Sequence, residues 1–233
     1  LFTHGEIDDP YYRDNAEAAM ELSRDDYTYR CHFDVEPEIF SSEKILLHFD
    51  GVDTLADIYL NERLLGSTYN MHREWEFAVK DCLKEKENLL EIRFHSPIVY
   101  MEEQVEKNGS IPSNTDTLDG FNYLRKANCM SGWDWAPKLP DMGIFRPVTL
   151  LGISKERILG VLIRQKHEEG KVTLSFDVDT MAGRAGDVAQ YRVRVTAPNG
   201  EVFAEEASPK ELVINTSGCL GAPHRSSHDG NED

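Results

Sequence analysis

Three short constellations in this 233-residue sequence hold side chains whose types and spacing could do chemistry. The first is Trp133-Asp134-Trp135, a carboxylate between two indoles. An ionised carboxylate accepts two charge-assisted hydrogen bonds, which suits vicinal hydroxyls, while flanking rings exclude water and offer flat apolar faces. The competing reading is structural: Asp134 caps the amides of its own loop, and Trp133 and Trp135 anchor the core. For the two indoles packing is placed first; for Asp134, ligand contact, on condition that a further domain completes the pocket. The second constellation is Glu74-Trp75-Glu76. In a strand its two carboxylates point the same way about 7 Å apart, and they read as an exposed pair instead of an acid and a base. The third is Cys219, His224 and His228 with Asp229, metal-like in type but set in a tail without fixed geometry. There is no glycine-rich phosphate loop and no serine nucleophile elbow, and neither a cofactor nor a metal is expected.

The elements that must position these residues read as strands. Tyr27, Tyr29, Cys31 and Phe33 alternate with polar residues, which describes a half-buried strand that Pro37 stops. Ile45–Phe49 leads through Asp50-Gly51 to alternating Ala56, Ile58 and Leu60, and then to Leu64 and Leu65 before Gly66. Leu90, Ile92 and Phe94 line one face of a further strand, which ends at Ser96-Pro97. Ile98 to Leu139 breaks this rhythm and reads as a long loop of the functional kind, because a disordered segment rarely keeps two tryptophans. Gly143 to Gly152 closes a first domain, 1–152. A second alternating block, Val172 to Val178, is followed by a hairpin around Pro198-Asn199-Gly200. These strands suggest an immunoglobulin-like sandwich over 153–214 with too few strands to complete it, and hence an exposed edge. Residues 215–233 read as a disordered tail.

Composition narrows the partners. Lys plus Arg number 25 against 42 Asp plus Glu, a net charge of −17. Most of such a surface repels a phosphate backbone, so nucleic acid is not an expected partner. No stretch approaches the roughly 18 apolar residues of a membrane span, so no membrane role is expected. Four cysteines, at 31, 82, 129 and 219, show no C-x-x-C pair and read as reduced, partly buried thiols. A cytoplasmic setting is the expectation; the start at Leu1 instead of Met leads one to expect a true N-terminus upstream and leaves a removed signal peptide open.

The run from Arg125 through Gly132-Trp133-Asp134-Trp135-Ala136-Pro137 to Pro140, followed by Gly143-Ile144-Phe145-Arg146-Pro147-Val148, resembles the Gly-Trp-Asp-Trp-Gly-Pro loop of the β-mannosidase-like branch of glycoside hydrolase family 2. Phe49-Asp50-Gly51-Val52-Asp53 through Asn61 resembles a signature shared more widely in that family, and Asp9-Pro10-Tyr11-Tyr12-Arg13-Asp14-Asn15 its entry segment. Ala136 stands where the family usually has Gly. It would be strained if the backbone there needed positive φ, and branch variation is the expectation.

The resemblance implies an all-β chain: a jelly-roll, galactose-binding-like β-sandwich followed by a partial immunoglobulin-like β-sandwich. It implies that Asp134 hydrogen-bonds hydroxyls of a terminal β-mannoside or oligosaccharide ligand, with Trp133 and Trp135 as flanking substrate-binding residues. Arg125 and Lys126 match basic motif positions, where a solvated or loop-pairing role weighs as much as substrate contact. Retaining cleavage needs two carboxyl groups about 5–5.5 Å apart, and by resemblance both belong to a downstream barrel domain. The chain alone is therefore expected to be non-catalytic, supplying one wall of the sugar pocket. The alternative is a stand-alone carbohydrate-binding or interaction module.

Overall fold

The alternation at Asn88–Phe94 becomes burial in register: Asn88, Leu90, Ile92 and Phe94 are buried and the residues between them are not. A period-two pattern does this because successive side chains of a strand point to opposite faces. The computed structural model describes residues 2–113, 116–181 and 190–215. Two units result, Leu1–Ile153 and Ser154–Asp233.

The first unit holds β1 (Tyr27–Phe33), β2 (Lys44–Phe49), β3 (Val52–Asp53), β4 (Leu55–Leu60), β5 (Arg63–Tyr69), β6 (Trp75–Ala78), β7 (Asn88–Phe94), β8 (Gly143–Ile144) and β9 (Val148–Ile153). Its helices are α1 (Asn15–Glu21), α2 (Pro37–Phe40) and α3 (Pro97–Asn108). One antiparallel sheet runs β1-β7-β4-β5, a second runs β6-β2-β9, and β3 pairs with β8. The two larger sheets face each other across one apolar core. Ile45, Leu47 and Phe49 come from β2, Ile58 and Leu60 from β4, and Ile92 and Phe94 from β7. Full burial of each such side chain contributes about 1.5–3 kcal/mol, so the sandwich holds its rim strands and loops against a stiff base.

The second unit contains β10 (Arg157–Glu168), β11 (Lys171–Met181), β12 (Arg192–Thr196), β13 (Val202–Ala207) and β14 (Glu211–Asn215). Its sheets are β10-β11-β14 and the β12-β13 hairpin, both antiparallel. The hairpin turns at Gly200, which takes positive φ, as Pro198-Asn199-Gly200 led one to expect. Ile158, Leu162, Ile163 and Val213 remain half-exposed or more. The chain is all-β with a sandwich at its front, as the sequence implied.

Several expectations are corrected. β1 is an edge strand; Tyr27 and Phe33 pack against the core, while Tyr29 and Cys31 are exposed, the Tyr29 ring lying edge-on to Phe94 at 5.0 Å. Cys129 is likewise exposed, so two of the three described thiols are not the partly buried groups anticipated. The segment from residue 98 opens with a helix, not a loop. Ser96 is its N-cap, accepting from the Val99 amide at 3.1 Å, and Pro97 sits in the first turn. Ser-Pro had signalled only the end of a strand, yet the same pair begins a helix well, because Pro lacks the amide that a first turn leaves unbonded. β10 escaped notice because Ile158, Leu159, Val161, Leu162 and Ile163 do not alternate; pairing with β11 makes it a strand. The tail from 216 onward, with Cys219, His224, His228 and Asp229, lies outside the described residues.

His95 joins two parts of the first unit, with Asp26 at 3.2 Å on one ring nitrogen and Asp57 at 3.1 Å on the other. Burial alone would lower the imidazole pKa, but the hydrogen bonds to Asp57 and Asp26 outweigh it and hold the pKa above its ordinary value. A raised pKa favours the folded state fully below the unfolded value of about 6.5 and loses that contribution as pH rises through the folded one. The thermal midpoint is therefore expected to fall as pH rises past about 6.5, and by less in His95→Gln. Parallel midpoint–pH curves for the two proteins would remove this ion triad from the stability of the fold.

Candidate functional site

The long segment after α3 is built as a stalk and a tip. At its base, Leu124 packs with Ile98 and Met101 of α3 in a second small core, with Met20, Leu118 and Phe121 against it. Gly120 is required there: it has positive φ, and a Cβ would come within 2.6 Å of the Met101 carbonyl oxygen. A 3-10 turn at Asn128–Ser131 follows. The Leu118 amide donates to the Ser131 carbonyl at 2.8 Å and the Leu139 amide to the Met130 carbonyl at 3.0 Å. Two strands of loop are thereby laced together. Gly132 takes φ 115°, and a Cβ would lie 2.7 Å from the Asp116 carbonyl oxygen.

The neck is closed by charge. Lys126 is buried, and its ammonium pairs with the carboxylate of Asp53 on β3 and donates to the Asp141 carbonyl. Asp53 is buried too and also accepts from the Thr54 hydroxyl. One cation thus joins the entry of the loop, its exit and the body of the sandwich. β8 then pairs with β3, so the exit strand returns beside the same Asp53. Lys126 is a loop-pairing residue, whereas Arg125 is exposed.

At the tip, Trp133 and Ala136 exchange backbone hydrogen bonds of 3.4 and 3.2 Å, leaving Asp134 and Trp135 as the two turn residues. Ala136 does not take positive φ, so the Gly-to-Ala departure carries no left-handed strain. The indoles are not core anchors: Trp133 is 42% exposed and Trp135 76%. Asp134 is exposed and makes no hydrogen bond or ion pair with any described residue, so it does not cap its own loop. Trp135 lines a cleft of about 790 Å³ together with Tyr11, Leu22, Tyr29, Met130 and Met142, among others. Asp134 and Trp133 are not among its lining residues. The arrangement presents a carboxylate unengaged by the described residues beside exposed aromatic faces, which can bind a neutral hydroxyl-bearing ligand, and Asp141 adds a second carboxylate to the cleft wall.

Comparison with known proteins shows the family of the first unit. A family model described as the glycosyl hydrolase 2 galactose-binding domain-like family matches residues 1–146. The chain belongs to that family. Bovine β-mannosidase is 35% identical over 157 residues, which are 64% of this chain and 18% of that protein. β-Mannosidase B of Emericella nidulans is 28% identical over 77% of this chain and 22% of its own length. The chain thus spans about a fifth of these curated relatives. The β-D-mannosidase structure from Dictyoglomus thermophilum superposes with a TM-score of 0.78 at 31% identity, covering 92% of this chain and 27% of that one. A β-glucuronidase structure from Bifidobacterium dentium shares the fold alone, with a TM-score of 0.58 at 21% identity over 83% of this chain and 34% of that one.

Sequence reasoning missed three features of this unit. The Lys126–Asp53 pair joins residues 73 positions apart, and no local pattern announces it. Tyr11 was noted only as part of the entry segment, yet it lines the cleft. Glu74 and Glu76 are exposed as expected, but Glu76 also bonds His48 at 2.9 Å, a partner that only the β2–β6 register reveals.

Proposed function

We propose that this chain is the non-catalytic front of a retaining β-mannosidase-type glycoside hydrolase acting on terminal β-mannosides, and that its first sandwich supplies one wall of the sugar pocket. The observation that carries the reading is Asp134: a carboxylate at the apex of a two-residue turn, without a partner among the described residues, with an exposed indole on either side. A carboxylate held at the loop tip and left unsatisfied by the described residues is suited to a ligand's hydroxyls. The catalytic carboxylates belong, on this reading, to a barrel that follows the sandwiches. The 233-residue chain alone is expected to release no aryl alcohol from an aryl β-mannoside above the buffer rate; measurable turnover by the purified chain would overturn the proposal.

A second reading is favoured by one observation. The aromatic cleft beside Trp135 lies wholly within the first unit, so a stand-alone carbohydrate-binding module has a surface to use. Quenching of tryptophan emission by mannosides at micromolar concentration, in the isolated chain, would favour that module.

A further inference from the structure

His48 lies on β2 directly across from Glu76 on β6. Asp50 follows the end of β2, and Glu74 precedes the start of β6. The strand register therefore gathers one imidazole and three carboxylates at one end of the β6-β2-β9 sheet. His48 is buried, with its Nδ1 2.9 Å from Glu76 and its Nε2 2.7 Å from Asp50 and 4.0 Å from Glu74. We propose that His48, Asp50 and Glu74 form a binding site for a divalent transition-metal ion of the zinc class, with Glu76 orienting the imidazole.

Three features support this. The candidate ligand atoms of His48, Asp50 and Glu74 all lie within 4.8 Å of one another. Zinc bonds to nitrogen and oxygen of about 2.0–2.2 Å in a tetrahedron place ligand pairs about 3.4 Å apart, a spacing that the 2.7 and 4.0 Å separations bracket. Second, Glu76 accepts from the Nδ1–H. That is the carboxylate–histidine arrangement which fixes a ligand imidazole's tautomer and makes it a better donor to metal. Without the ion, Nε2 carries a proton that it donates to Asp50 at 2.7 Å; when the ion enters, that proton leaves to solvent and the freed Nε2 lone pair bonds the metal. Third, among the described residues neither Asp50 nor Glu74 pairs with any cation but His48. Two carboxylates facing one imidazole leave negative charge that a dication neutralises. A water completes the fourth position, because the outer side of the cluster, at Glu74, is exposed.

The test is calorimetric titration of the full chain with Zn2+ alone, beside Asp50→Asn and Glu74→Gln. Both side chains lie toward solvent, and a circular-dichroism melt checks that each variant stays folded. Each variant is expected to lose at least tenfold in affinity at one site, and Glu76→Gln, which spares the ligands, to lose roughly 10- to 100-fold. With Co2+ as a second probe, the parent chain is expected to give visible absorption bands of a low-coordinate site that Asp50→Asn abolishes. Zn2+ isotherms of parent and both ligand variants that superimpose would overturn the proposal. The cluster would then be a protonated imidazole held between carboxylates, and zinc taken up elsewhere would be adventitious.

Discussion

Asp134→Ala, made in a full-length protein carrying this chain, is expected to lower kcat/KM on an aryl β-mannoside by roughly 5- to 150-fold, equivalent to ~1–3 kcal/mol of lost hydrogen bonding. The direction follows from what the carboxylate does not do within the chain. Among the described residues it caps no amide and pairs with no cation, so its removal breaks no described contact of the sandwich. Exposed substitutions of that kind leave stability within about 0.5 kcal/mol. The kinetic loss should therefore come without a shift in the thermal midpoint. Kinetics equal to those of the parent would remove Asp134 from the pocket, and a lowered midpoint would mean that it serves the loop instead. Steady-state rates and a melting curve on the same preparation separate these outcomes.

Lys126→Met is expected to have the opposite signature, a large loss of stability. The ammonium is buried together with Asp53, and removing it leaves a buried carboxylate without its cation. Breaking one side of such a pair costs about 3–5 kcal/mol, which in a domain of this size lowers the midpoint by roughly 6–20 °C. Adding Asp53→Asn to Lys126→Met should recover part of that loss, because an amide needs hydrogen bonds but no counter-charge. Scanning calorimetry of the parent, the single and the double variants checks both steps. A midpoint for Lys126→Met within 2 °C of the parent, a shift of less than about 1 kcal/mol, would show that the neck of the loop is closed by something other than this pair. The two experiments together divide the loop into a tip that acts on ligand and a neck that holds the tip in place.

The strands of the first sandwich were legible because their cores alternate. Ala56, Ile58 and Leu60 on β4, and Leu90, Ile92 and Phe94 on β7, are apolar at every second place and buried at every second place. β2 is different: residues 45–49 are buried on both faces, including His48. Pattern alone shows such a strand without showing what covers its polar member. α3 was hidden by a signal with two meanings, since Ser96-Pro97 both ends β7 and caps a helix. β10 was hidden because most of its residues are exposed and its apolar residues do not alternate.

The local sequence determined that the chain is all-β, that a glycine-punctuated loop interrupts its first sandwich, and that Trp133, Asp134 and Trp135 sit together in that loop. These are properties of neighbours in sequence, and the physics that sets them, steric limits on φ and the two-residue period of a strand, acts over a few residues. Only the tertiary structure decided that both indoles face outward, that Asp134 is left unengaged, that Lys126 closes the neck against Asp53, and that His48 meets Asp50, Glu74 and Glu76. Charge pairing and burial depend on distance through space. Residues 73 positions apart come into contact only when two sheets have packed and fixed their register.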